Sequence, residues 1–176
     1  DLASTFNTKF DIDFFPHPEP VITGPAPRVM SLRDGTKKMS KSEPSDMSRI
    51  NLTDDADTIL KKIKKAKTDP EPLPDSLESL EERPEALNLI TLYAALANEA
   101  KEDSLKRFAG ESFSVFKPAF AELVIESFAP ITNEMNKLMQ DIDQVQKIVD
   151  SGSEKSRDIA APVLRDVHKI MGLSAL

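Results

Sequence analysis

The sequence predicts a mainly α-helical chain with one short strand near its beginning, and three observations carry that reading. Nine of its 13 prolines fall in two clusters, Pro16 to Pro27 and Pro70 to Pro84, which divide the chain into three regions. From residue 53 onward, apolar residues recur every three or four positions, the period of a helix face. A β-favouring run is confined to Arg28-Val29-Met30-Ser31-Leu32.

Taken in order, Leu2 to Asn7 reads as the end of a helix. Pro16 to Pro27 must be extended or turning, because each proline fixes its own φ and pushes the preceding residue out of the helical region. The strand at Arg28 to Leu32 closes at Arg33-Asp34-Gly35, a turn signal. Thr53-Asp54-Asp55 caps and charges a helix through Ile59, Leu60, Ile63 and Ala66, interleaved with Lys61, Lys62, Lys64, Lys65 and Lys67. The stretch from Pro70 to Glu85, with Glu71, Asp75, Glu78, Glu81, Glu82 and Glu85, reads as an acidic surface loop.

Pro84 suits the start of a helix through Leu87, Leu89, Ile90, Leu92, Tyr93, Leu96 and Ala97. A shorter helix containing Leu105 and Phe108 stops at Gly110. Phe113, Phe116, Phe120, Leu123, Val124 and Phe128 line one face of a longer helix that continues past Pro130 to Met139. Their spacing, like the place of Tyr93, is that of core packing and not of a base-stacking platform. Two further segments, Val145 to Val149 and Glu154 to Met171, are separated at Gly152, and there is neither an internal repeat nor a sustained heptad.

Composition removes several classes of function. Without Cys there is no disulfide framework, thiolate zinc site or cysteine catalysis, and the two isolated His make a structural metal unexpected. No apolar run approaches the roughly 20 residues that cross a bilayer, so a soluble chain is expected. A net charge of −7 argues against nonspecific coating of nucleic acid, yet leaves room for a local basic stripe. The opening Asp1-Leu2-Ala3-Ser4 has neither an initiator Met nor the pattern of a signal peptide, and reads as mid-chain.

Chemistry concentrates in Gly35-Thr36-Lys37-Lys38-Met39-Ser40-Lys41-Ser42-Glu43-Pro44. Lysine carries a point charge on a flexible stem and Ser hydroxyls donate to phosphate oxygens, so the segment suits a polyphosphate whose charge rises as a phosphoanhydride breaks. Gly35 would let it move. On residue types alone, a solvated basic loop is the commoner reading, since that is what most short Lys/Ser runs are.

Lys38-Met39-Ser40-Lys41-Ser42 also spells the KMSKS signature of class I aminoacyl-tRNA synthetases. A given pentapeptide arises by chance in a chain of this length on the order of once in ten thousand. The flanks extend the match: Arg28 to Asp34, Glu43-Pro44, Asn51-Leu52-Thr53-Asp54, Ala66-Lys67-Thr68-Asp69, Phe128-Ala129-Pro130-Ile131 and the stretch from Gly152 to Arg165. Together they resemble the bacterial-type tryptophanyl-tRNA synthetases over essentially the whole chain.

That resemblance implies a helical bundle preceded by the last strand and KMSKS loop of a Rossmann-like nucleotide-binding domain. Residues 1–50 would end the catalytic domain, and residues 51–176 would form an α-helical domain that binds the tRNA anticodon. The implied activity is that of a tryptophan–tRNA ligase, in which ATP with Mg2+ and tryptophan give tryptophanyl-adenylate before transfer to tRNA(Trp). By the same resemblance Lys38 and Lys41 are catalytic and grip the triphosphate. Val29, Met39, Ser40 and Ser42 join them in binding ATP, with the Val29 backbone near adenine. The family is homodimeric, although this chain by itself could be monomeric and inactive.

The departures are specific. A His-Ile-Gly-His signature is absent: His17 lies between Pro16 and Pro18, and His168 in the last helical segment. The tryptophan pocket is expected in a preceding half. Gly35 stands where the family often has Pro, and Glu43 where it often has Asp. The lysines between residues 61 and 67 offer either phosphate contacts to tRNA or a solvated helix face. A tyrosyl-type synthetase and a non-catalytic helical module for RNA or protein remain the alternatives.

Overall fold

In the computed structural model, residues 1–22, 24 and 26–173 are described. Pro25, one of the prolines in the first cluster, lies outside them. The described elements are α1 (Leu2–Phe10), β1 (Met30–Ser31), β2 (Asp34–Lys38), a 3-10 turn (Asp46–Ser48), α2 (Ala56–Lys64), α3 (Leu77–Glu81), α4 (Pro84–Ala97), α5 (Lys101–Phe108), α6 (Phe113–Gln140) and α7 (Ile142–Ile170). The mainly helical class expected from the sequence is therefore the observed one. The chain divides into two compact units, residues 22–137 and residues 1–21 with 138–176.

The larger unit is built on the apolar faces predicted for α2, α4, α5 and α6. Ile59, Ile63, Leu89, Ile90, Leu105, Phe116, Phe120 and Val124 are all at most 3% exposed, and Tyr93 stacks edge-on against Phe108. Phe113, Phe116, Phe120 and Tyr93 thus belong to the core, as their spacing requires. Asp55 caps α2 by accepting from the Thr58 amide (2.8 Å), and Pro84 opens α4 at its first position, where a missing N–H costs nothing.

Three expectations for this unit need correction. The single strand is a hairpin: β1 keeps only Met30–Ser31 of the predicted run and pairs antiparallel with β2, Met30 facing Lys38 and Ser31 facing Asp34. Leu32 leaves the strand because the core takes its side chain (2% exposed). Its amide donates to the Ser48 carbonyl (2.9 Å), and its carbonyl accepts from the Lys67 amide (2.7 Å). Asp34-Gly35, read as a turn, consequently lies within a strand. The supposed acidic loop contains α3 and buries Leu73 and Leu80, while Arg83 reaches back to the Asp69 carboxylate and to the carbonyls of Glu71 and Pro72. Finally, Lys62 is not on a solvated face: its side chain is 1% exposed.

Opposite β2, the buried side chain of Asn88 on α4 substitutes for a neighbouring strand. Its Oδ1 accepts from the Met30 amide (3.2 Å), and its Nδ2 donates to the carbonyls of Met30 (3.0 Å) and Ser31 (3.5 Å). Asn88→Ala strips β1 of both partners on that edge and should lower the unfolding free energy of the chain by about 2 kcal/mol. Urea denaturation followed by far-UV circular dichroism measures it; a midpoint unchanged at constant slope would show that water replaces the amide.

In the smaller unit α1 ends at Asp11, whose φ of 50° reverses the chain. Asn7 ties the returning strand-like segment to the helix, accepting from the amides of Phe14 (3.3 Å) and Phe15 (3.0 Å) and donating to the Phe15 carbonyl (2.8 Å). Phe6 thereby meets Phe10, Phe14 and Phe15. The two segments expected on either side of Gly152 form one helix, α7. A lone Gly costs a helix about 1 kcal/mol against Ala, too little to interrupt a hydrogen-bonded run of 29 residues capped by Asp141. Among the described residues no helix is long and apolar enough to cross a membrane.

Candidate functional site

The hairpin presents the signature segment at the mouth of a concavity of about 720 Å³ in the larger unit. Val29, Lys38, Met39, Ser40 and Lys41 line it together with Pro27, Arg28, Arg49, Ile50, Asn51, Leu52, Thr53 and Met135. Five of the six residues expected to bind ATP thus line one concavity, and Ser42 does not. Arg28, Lys38 and Lys41 are exposed, so their charges face solvent across the opening.

Each signature residue has a distinct structural task. The Val29 carbonyl accepts from the Met39 amide (3.0 Å), extending the hairpin by one rung. Met39 is half-buried against the core and fixes the near end of the loop. Ser40 then bends the chain: its Oγ accepts from the Ser42 amide (3.2 Å), and its carbonyl accepts from the Glu43 amide (3.4 Å). Ser42 therefore contributes to loop shape through its backbone.

Gly35 does not provide mobility. It is buried in β2 against the first turn of α4, and a Cβ there would lie 2.5 Å from the Pro84 carbonyl carbon and 2.6 Å from the Glu85 nitrogen. Beside it, Asp34 accepts from the hydroxyl (2.6 Å) and amide (3.1 Å) of Thr36 and from Lys37 (3.2 Å). These contacts, the Thr36 hydroxyl foremost, hold the Asp34 carboxyl at about 2. Asp34 is thus ionised at any working pH and offsets Lys37, leaving Lys38 as the hairpin cation that lines the concavity.

Arg49, which lines the same concavity, is oriented by three acceptors: the Asp46 carboxylate (3.1 Å), the Glu43 carbonyl (3.0 Å) and Asn51 Oδ1 (3.3 Å). Lys62, and after it Asn51, donates to Asp46 and holds that carboxyl below its ordinary value. Sequence reasoning missed Arg28, Arg49, Asn51 and Met135 as lining residues. Arg28 beside the strand was the one legible signal, since nothing in spacing brings Met135 near residue 39.

The basic helix is less basic than it looks. Lys62 is consumed by carboxylates, and Lys67 pairs with Glu85 (2.8 Å), which raises the ammonium pKa and lowers the carboxyl. Lys61, Lys64 and Lys65 remain exposed. His17 accepts or donates at Ser4 Oγ (3.2 Å) near α1, and His168 lies on α7; neither lines the concavity. Among the described residues no group of three His, Asp or Glu side chains is placed to hold a metal ion.

Residues 1–129 match the family of tRNA synthetases class I (W and Y). A tryptophan–tRNA ligase of Rhizobium meliloti is 58% identical over 159 residues, which are 90% of this chain and 45% of that protein. A crystal structure of tryptophanyl-tRNA synthetase from Mycoplasma pneumoniae superposes with a TM-score of 0.78 at 26% identity, covering 99% of this chain and 53% of that one. One from Campylobacter jejuni, complexed with ADP and tryptophan, shares the fold with a TM-score of 0.65 at 24% identity, over 98% of this chain and 51% of the other. The chain spans about half the length of the curated relatives it matches. With the family matched over more than two thirds of its residues and the KMSKS segment in place, the chain belongs to the class I tRNA synthetases for tryptophan and tyrosine.

Proposed function

We propose that this chain is the carboxy-terminal part of a cytoplasmic tryptophan–tRNA ligase and supplies the pyrophosphate side of its ATP site. The observation that carries the reading is the gathering of Val29, Lys38, Met39, Ser40 and Lys41 on one concavity with Arg28 and Arg49. Tryptophan is favoured over tyrosine because the relative at 58% identity is a tryptophan–tRNA ligase. The Campylobacter jejuni structure, complexed with ADP and tryptophan, supports the same two ligand classes.

In the proposed reaction a tryptophan carboxylate oxygen attacks the α-phosphorus of ATP, the bond to the bridging oxygen breaks, and pyrophosphate leaves. A hydroxyl of the terminal adenosine of tRNA(Trp) then attacks the activated carbonyl, and AMP departs. The nucleophiles come from the substrates, so the protein needs no general base here; positioning and charge stabilisation are its contribution. Lys38 and Lys41 meet the phosphate oxygens whose charge grows as the anhydride opens, and ATP enters with Mg2+ as its counter-ion. Val29 lies beside the adenine, Met39 anchors the loop, and Ser40 and Ser42 shape its bend.

The boundary of role falls between residues 50 and 51, with anticodon binding assigned to the helices beyond it. It is not a boundary of packing, since Leu32 shares a core with Ile59 and Ile63. The exposed Lys61, Lys64 and Lys65 suit tRNA phosphates. The complete enzyme would be a homodimer whose other half holds the tryptophan pocket.

The test is ATP–pyrophosphate exchange by the complete protein and by this chain alone, with tryptophan or tyrosine. Exchange by the complete protein with tryptophan only, and none by the chain, is the expected result. Exchange with tyrosine moves the assignment to the sister enzyme, and no exchange with either leaves a helical interaction module.

A further inference from the structure

The far end of the signature loop is fastened by a buried cation. Lys62 on α2 is 1% exposed, a rare place for an ammonium group, and its Nζ meets Asp46 Oδ2 (2.6 Å) and the Asp54 carboxylate. Asp54 also accepts from the Asn51 amide (2.9 Å), while the other oxygen of Asp46 takes Asn51 Nδ2 (2.9 Å) and Arg49 Nη2 (3.1 Å). Arg49 Nη1 then donates to the Glu43 carbonyl (3.0 Å), one residue beyond Ser42. An unbroken path of ion pairs and hydrogen bonds therefore runs from α2 through Lys62, Asp46 and Arg49 to the loop. Two cations and two carboxylates sum to zero charge, which is what lets Lys62 stay buried.

The near end is fixed independently by the Met39 amide on the Val29 carbonyl. Between the two anchors lie only Ser40, Lys41 and Ser42. We propose that Lys62 and Asp46 are positioning residues for the ATP reaction, acting through Arg49 to hold the loop so that Lys41 faces the concavity before ATP arrives. Without the link, the loop samples other conformations, and apparent ATP affinity falls by the fraction of molecules left competent. The inference rests on the loop being an ATP site, as proposed above.

The test uses the complete ligase. Asp46→Asn removes the charge that joins Lys62 to Arg49, at a side chain 54% exposed and thus tolerant of replacement. The expected result is a KM for ATP raised by about fivefold with the KM for tryptophan unchanged. Lower folded content alone would reduce apparent kcat and leave both KM values in place. Lys62→Met, with its melting curve recorded alongside, should reproduce the ATP effect. Amide hydrogen exchange across residues 43–48 should quicken by about tenfold in both variants. Unchanged ATP KM and unchanged exchange in Asp46→Asn, in an otherwise active enzyme, overturn the clamp and leave the ATP reading standing. A wild-type enzyme that activates no amino acid overturns the ATP reading and the role given to the clamp, even if residues 43–48 exchange faster in the variants.

Discussion

Gly35→Ala should destabilise the chain by about 3 kcal/mol, the upper part of the range for forcing an extra methyl into a packed site. The added Cβ would fall 2.5 to 2.6 Å from the carbonyl group of Pro84 and the nitrogen of Glu85. Those atoms are backbone at the first turn of α4 and cannot rotate away as a side chain would. Relief requires β2 to lift from α4, and Asn88 on that helix holds β1 at Met30 and Ser31. The strain would therefore pass into the hairpin that ends at Lys38. Chemical denaturation of wild type and variant reads the loss directly; a difference below about 1 kcal/mol would mean that the two elements separate freely.

Lys41→Ala, made in the complete ligase, should slow tryptophan activation by about 10- to 100-fold, the worth of one charge-assisted hydrogen bond lost from the transition state. Tryptophan binding without ATP should not change if Lys41 acts on the phosphates as proposed, from its place on the concavity beside Lys38. Pre-steady-state adenylate formation and equilibrium binding of tryptophan separate the two. A large loss of tryptophan affinity would contradict a phosphate-directed lysine. Lys37 provides the comparison within the same segment: its charge is balanced by Asp34 at 3.2 Å.

Much of the helical architecture was legible because helix periodicity is local. Thr53-Asp54-Asp55, Pro84 and Gly110 marked ends that the structure keeps within a few residues, and the Phe spacing along α6 pointed to the core it enters. What escaped was set by distant partners. Asp34 to Lys38 has the composition of a turn followed by a basic loop, and becomes a strand through pairing with β1 and contact with Pro84. Lys62 looked like its neighbours in a charge run, since the carboxylates that bury it lie 8 and 16 residues back, at Asp54 and Asp46. The signature residues were legible as a motif. Their union with Arg49 and Met135 was not, because a linear sequence does not show which helix returns to face the loop.

The register of the hairpin makes the placement of the signature lysines a matter of a bulge. Ser31 faces Asp34 and Met30 faces Lys38, so Gly35, Thr36 and Lys37 are extra residues between two adjacent rungs. Gly35 is buried against Pro84, whereas Thr36, Lys37 and Lys38 are all exposed, so burial does not alternate along β2. A bulge bends its strand and re-aims the side chains that leave it. The direction in which the chain carries Lys38, and Lys41 after it, therefore follows from an interruption of the pairing and not from the alternation of a regular strand.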